Sequence, residues 1–328
     1  MRRRDLISLI GGGVAALPFR TLAQRPGKIP TVGILWHAGG PEQEGPYFTA
    51  MIDGFRDLGY IADQNIKFEH RFPNEIPDRF QSMAAELVAS KVDVLVGVGV
   101  NASRVVKNAT DTIPVVFTLA ADPVATKLVA SLSRPGGNAT GLTNFQVELS
   151  AKRLQLLKDV VPSLSRVALL VNPNEPPARG YIIEGEAAVA KLGLVQQVFE
   201  ARTADDIDPA FAAMEHAGMQ AVVVGAGGLF YQARTHIPQW ALVHHLPICV
   251  WSKETFDPGA LMSYGCDQLA LIRRTAGYVD KILKGARPGD LPVEQPTKLQ
   301  FLFNSKVAKL LGLNVPTAIL LRADEVIE

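Results

Sequence analysis

The run IPVVFTLAADPVATKLVASLSRPGGNATGLTNF, residues 113–145, carries the pattern that decides the fold. Residues 115–119 are apolar and rich in β-branched side chains, which reads as a buried strand. A short Ala120-Ala121 loop leads to Asp122-Pro123, a capping residue followed by proline at a first helical position, and so predicts a helix. Arg134-Pro135-Gly136-Gly137-Asn138 ends that helix, and residues 139–142 form a second apolar strand. Strand, tight loop, helix and strand make one βα unit, and the text on either side, to about Gly265, repeats it.

Upstream, residues 31–36 form an apolar strand that leaves through His37-Ala38-Gly39-Gly40-Pro41. Phe48, Met51, Ile52 and Phe55 follow at i, i+3, i+4, i+7 spacing, which predicts an amphipathic helix ending at Leu58-Gly59. Residues 66–72 alternate as a half-covered edge strand does. A helix after Pro77-Asp78 turns Phe80, Met83, Ala84, Leu87 and Val88 to one side. Residues 92–98 are wholly apolar, and Gly99-Val100-Asn101-Ala102-Ser103 opens another helix. Uniformly apolar strands alternating with helices imply a parallel sheet covered on both faces.

The second half copies the first. Val32 and Val167, Leu58 and Leu192, and Pro114 and Pro247 stand in matching contexts, 135, 134 and 133 residues apart. A near-constant offset indicates an internal duplication, so the fold class is α/β with two doubly wound Rossmann-like lobes. The tail then adds a helix over residues 268–284, an extended stretch with Pro288, Pro292 and Pro296, a strand over 298–303 and a helix over 305–311. A chain that finishes its second lobe and continues in this way has crossed back. Crossings near residues 144, 264 and 295 would form a three-strand hinge, with lobe one built from 30–143 and 265–294 and lobe two from 144–264 and 295–328.

The N-terminus MRRRDLISLIGGGVAALPFRTLAQ begins with arginines, continues apolar and ends in small residues, so residues 1–23 read as an export signal rather than a membrane anchor. Arg3-Arg4-Asp5-Leu6-Ile7 resembles the twin-arginine pattern, which places the protein in the periplasm. The 328-residue chain has 33 Lys+Arg and 32 Asp+Glu, and the excised segment holds four arginines and one aspartate. The remainder is slightly acidic, which excludes an electrostatic case for nucleic acid. Cys249 and Cys266 are the two cysteines, too few for a thiolate metal site; a disulfide and two buried thiols both remain open.

In an open α/β sheet the ligand lies beyond the C-terminal ends of the strands, where helix N-termini converge. That rule selects Trp36, His37, Asn101, Ala102, Ser103, Ala120, Ala121 and Asp122 in lobe one. In lobe two it selects Asn172, Asn174, Gly225, Ala226, Gly227, Trp251 and Ser252, with Tyr264 near a crossing. The set is small, polar and aromatic with little charge, which suits a flat or apolar organic ligand whose one anionic group docks at Ala102-Ser103. Asp122 and Ser103 read equally as helix caps, and Trp36 equally as a cover for the sheet end. Full G-x-G-x-x-G, G-x-S-x-G, H-E-x-x-H and Walker patterns are missing, so neither cofactor, metal nor catalytic group is expected.

Six blocks carry a family resemblance: Ala121-Asp-Pro-Val124, Arg134-Pro-Gly-Gly-Asn-Ala-Thr-Gly141, Ser263-Tyr-Gly265, Tyr278-Val-Asp-Lys-Ile-Leu-Lys-Gly285, Asp290-Leu-Pro-Val-Glu-Gln-Pro-Thr297 and Arg322-Ala-Asp-Glu-Val-Ile327. Their order and spacing over residues 30–328 resemble the tryptophan-type substrate-binding proteins of ABC importers, which are type I periplasmic binding proteins. The resemblance implies a Venus-flytrap fold and a cleft ligand such as an aromatic amino acid or small carboxylate. It also implies delivery to an ABC permease and its ATPase; nothing in the sequence requires an oligomer, so a monomer is expected, without stable membrane insertion and without a nucleic-acid partner. Alternatives are a sensory binding protein that presents the same ligand to a receptor, and an exported enzyme using the same cleft.

Overall fold

The computed structural model describes residues 29–328, so the expected export segment lies outside the described residues. The first lobe runs β1 (Thr31–Leu35), α1 (Pro41–Glu44), α2 (Pro46–Asp57), β2 (Lys67–Arg71), α3 (Pro77–Ala89), β3 (Val94–Val98), α4 (Gly99–Ala109), β4 (Val115–Ala120) and β5 (Ala139–Thr143). The second runs α5 (Ser150–Val160), β6 (Arg166–Val171), α6 (Ala178–Leu192), β7 (Val195–Glu200), α7 (Ile207–His216), β8 (Val222–Val224), α8 (Gly228–Gln232), α9 (Ile237–Val243), β9 (Ile248–Val250), α10 (Lys253–Phe256) and β10 (Met262–Cys266). The tail supplies α11 (Gln268–Leu283), β11 (Leu299–Asn304), α12 (Ser305–Leu310), α13 (Thr317–Leu320) and β12 (Glu325–Ile327).

The duplication is visible in the strand order. The first sheet is β2-β1-β3-β4-β5, and the second carries the same arrangement as β7-β6-β8-β9-β10, extended by β11 and β12. Pairing is parallel within both cores; β11, entering from the other lobe, pairs antiparallel with β10, and β12 runs parallel to β11. β3 and β4 are buried along their full length, while β2 and β7 at the edges are largely half-buried or exposed, as the alternating sequence of β2 leads one to expect.

One expected helix does not form. Residues 122–132 follow β4 as a series of turns, in which the Asp122 carbonyl accepts from both the amide and the hydroxyl of Thr126. Lys127 takes a left-handed φ of 59°, which stops propagation after one turn. Asp122 still caps: its Oδ1 accepts from the amides of Val124 and Ala125. Leu128 and Val129 instead pack directly on Phe117 and Val293.

The tail ties the lobes together. α11 packs on α2 and β4 of the first lobe. The chain then returns alongside β5, where Glu294 N–H donates to the Gly141 carbonyl and Thr143 N–H to the Glu294 carbonyl, both at 2.9 Å. Arg153, on α5, is 0% exposed and reaches both other passages between the sheets. Its Nε donates to the Tyr264 carbonyl at 2.8 Å, Nη1 to the Gln146 carbonyl at 3.0 Å, and Nη2 to Gln146 Oε1.

Cys249 and Cys266 are both buried free thiols, which closes the question of a disulfide. Cys249 pairs with Met262, four residues short of Cys266 along β10, too far for a disulfide to span.

Replacing Arg153 with alanine strips three oxygens of their buried donor, and should lower unfolding free energy by about 3 kcal/mol. Arg153→Lys should restore only part of that, since an ammonium cannot span the same fork. Urea denaturation of both variants checks this; an unchanged midpoint for Arg153→Ala would refute it.

Candidate ligand-binding cleft

The C-terminal ends of both sheets face each other across a partly open cavity. The first lobe contributes His37 after β1, Tyr47 of α2, Glu75 before α3, and Val98 to Asn101 where β3 becomes α4. The second contributes Glu175 after β6, Ala226 to Gly228 after β8, Tyr231 of α8 and Trp251 after β9. Asn144 and Gln268 line it from the passages between lobes. No side chain caps α4, so the amides of its first turn face the cavity with their partial positive charge available.

The wall is more acidic than its sequence suggested. Glu44 is 0% exposed and its Oε1 accepts from the amides of His37 (3.1 Å) and Ala38 (2.8 Å). Its Oε2 lies 3.2 Å from His37 Nε2, while His37 Nδ1 lies 3.7 Å from Glu75 Oε1. Burial lowers the His37 pKa, against the raising effect of Glu44. Burial also raises Glu75 well above the carboxylate range, helped by the charges of Glu175 and Glu44 and opposed by a hydrogen bond from Asn101. Glu175 is pushed up to about 7 by burial, although hydrogen bonds from the amides of Leu229 and Gly228 and from the side chain of Asn172 favour the charged form and offset part of that rise. Gly227 and Gly228 make room for these groups. A Cβ on Gly227 would collide with the Glu175 carboxylate, and one on Gly228 with that of Glu75.

The lobes touch each other directly. Tyr231 OH donates to the Glu44 carbonyl at 2.9 Å, and its ring stacks on Tyr47 with centroids 4.3 Å apart. The Arg234 guanidinium covers the other side of that ring at 4.2 Å and donates to the Gln43 carbonyl at 3.3 Å. The structure is therefore a closed form.

Six residues selected from sequence meet in this cavity: His37, Asn101, Ala121, Ala226, Gly227 and Trp251. The others lie elsewhere. Trp36 is wholly buried, its Nε1 donating to His70 Nδ1 and its ring stacked on Phe72. Ala102 and Ala120 sit in lobe-one cores. Ser103 Oγ donates to the carbonyls of Gly97 and Gly99, a closure within its own turn. Asp122 caps its turn. Asn172 and Asn174 line an outer groove with Arg104 and Arg202, Gly225 packs near the Tyr181 ring, and Ser252 bonds with Thr255. Tyr264 offers its carbonyl to Arg153.

Missed from sequence were Tyr47, Glu44, Glu75, Glu175, Tyr231, Asn144 and Gln268. Tyr47, Glu75 and Glu175 lie in or just beyond loops that follow strands, a signal that was present. Asn144 and Gln268 meet only because the chain crosses twice.

Residues 46–327 match the family of ABC transporter substrate binding proteins. This chain belongs to that family. Over 272 residues it is 25% identical to a protein named tyrosine-binding protein from Clostridioides difficile (strain R20291), covering 80% of this chain and 75% of that one. A crystal structure of a conserved domain protein from Vibrio cholerae superposes with a TM-score of 0.86 at 27% identity, covering 91% of this chain and all of that one. A Streptococcus pneumoniae ABC domain in complex with L-Trp gives 0.84 at 25% identity, covering 92% and 100%. The architecture is thus that of type I periplasmic binding proteins, and the chain is an ABC transporter substrate-binding protein.

The raised carboxyl of Glu175 has a defined pH signature. A group whose folded pKa exceeds its unfolded value adds stability below the unfolded pKa, here 4.5, and loses it as pH rises through about 7. Glu175→Gln should therefore match the wild type near pH 5 and gain on it steadily up to about pH 8. Denaturation of the ligand-free proteins at both pH values tests this; a gap that stays constant or narrows would contradict it.

Proposed function

We propose that this substrate-binding protein captures an aromatic amino acid in the cavity between its lobes and delivers it to the membrane permease. The observation that carries the reading is a closed cleft whose walls combine the rings of Tyr47, Tyr231 and Trp251 with buried carboxylates and the uncapped start of α4. Rings take the apolar body of the ligand, and the α4 amides take its carboxylate. The tyrosine-binding and L-Trp-bound relatives support the same class.

Capture works by closure. Residues 30–143 with 265–294, and 144–264 with 295–328, move as two units about the three passages, and ligand contacts to both units favour the closed form. The protein acts after export through a twin-arginine signal, as a periplasmic monomer recognised by the permease when closed. A binding role rather than a catalytic one is supported by the two serines read from sequence: the Ser103 and Ser252 hydroxyls are engaged with their own backbone or Thr255.

A thermal-shift screen tests the ligand class. L-Tryptophan or L-tyrosine at about 100 times its dissociation constant should add about 2.7 kcal/mol and raise the melting temperature. No shift with any aromatic amino acid would refute the class. Trp251→Ala should weaken the ligand that shifts by about tenfold or more while the protein still folds; unchanged affinity would remove Trp251 from the site.

A further inference from the structure

We infer that Glu75 of one lobe and Glu175 of the other form a shared ammonium site, so that the cleft reads its ligand's amino group and releases a proton when that group docks. This rests on the cleft being the ligand site, and it names the chemistry that the site selects.

The two carboxylates arrive from different lobes and meet at neighbouring positions, Glu175 against Gly227 and Glu75 against Gly228. Closure is what brings them together. Glu44 adds a third carboxylate nearby, through His37. The other titratable groups around the pair are Tyr47, Tyr181, Tyr231, Glu254 and His37, and none of these supplies a stable positive charge. Arg234 is one cation nearby, its guanidinium engaged with the Tyr231 ring, the Tyr231 carbonyl and the Gln43 carbonyl; Arg104 and Arg202 line the outer groove that Glu75 also borders, and the buried Arg153 acts on Tyr181 while bonded to Tyr264 and Gln146.

A second, independent feature points the same way. Asn144 is 5% exposed, lines the cavity, and its Oδ1 has no partner among the described residues. Its Nδ2 faces two acceptors, the Leu119 carbonyl and Gln268 Oε1, both at 3.4 Å, which fixes the oxygen as the free atom. Two carboxylates and one amide oxygen make three acceptors, and an ammonium carries three donors.

The proton balance follows. Two carboxyls sharing a desolvated site keep a proton, because both charged forms together are too costly. An incoming ammonium supplies the missing positive charge. The carboxyl proton then leaves to solvent, the ligand keeps its own, and no covalent bond changes.

The test is calorimetry on the purified protein near neutral pH, in two buffers of different ionisation enthalpy. The probes are L-tyrosine, L-tryptophan, tyramine and 3-(4-hydroxyphenyl)propanoate, which lacks the amine. An amine-bearing probe should bind about 100-fold tighter than the deaminated acid and release up to about one proton. Glu175→Gln and Glu75→Gln, near-isosteric changes checked by melting curves, should weaken that probe and abolish the release.

Binding of the deaminated acid within about threefold of tyrosine would overturn the inference, and so would amine binding without proton release, or no binding of any amine-bearing probe. Tyramine binding without either amino acid would leave the ammonium site standing and remove the amino-acid reading instead.

Discussion

Arg153 is a cation buried with oxygen partners that belong to peptide and amide groups. Desolvating a guanidinium is costly unless each direction of its fork meets an acceptor. Those acceptors come from Gln146, just past β5, and from Tyr264 within β10, the two passages that leave and approach the first lobe. The requirement to satisfy one buried charge thus fixes the relative position of the segments about which the lobes must pivot. The returning passage is held differently, by ladder hydrogen bonds between Glu294 and β5. Two passages held by a side chain and one by backbone pairing leave the cleft side of the lobes free to close.

At the opposite side of the pivot the electrostatics run the other way. Closing brings Glu175 of the second lobe toward Glu75 and Glu44 of the first, and their mutual repulsion works against the closed form. The Tyr47–Tyr231–Arg234 stack and the Tyr231 to Glu44 hydrogen bond work for it without any ligand. Each such contact contributes on the order of 1 kcal/mol. A near-balanced equilibrium is the condition under which a few kcal/mol of ligand contact converts almost fully into closure.

Periodicity made the architecture legible. Strand positions, the amphipathic faces of α2, α3 and α11 and the constant offset between halves all follow from local patterns that tertiary packing merely preserved. The helix expected after Asp122 stops where Lys127 turns to a left-handed φ, and Leu128 and Val129 share a buried cluster with Phe117 and the returning Val293, a long-range partner that no local pattern shows. His37, Asn101, Gly227 and Trp251 were found by the strand-end rule alone. Trp36 satisfies the same rule and yet points inward, because one residue of register decides which face of a strand end a side chain takes, whereas Ser103 lies within α4 and its hydroxyl turns back onto the Gly97 and Gly99 carbonyls.

Hydrophobic period and chain connectivity made the duplicated α/β lobe and the end of the sheets where the cleft lies legible in the sequence, while the strand order came from the structure. Which side chains meet in the cleft was decided only by the tertiary structure. Glu75 and Glu175 are a hundred residues apart, and Asn144 and Gln268 are separated by two passages of the chain. Their charges and hydrogen bonds acquire meaning only when closure places them in one low-dielectric space.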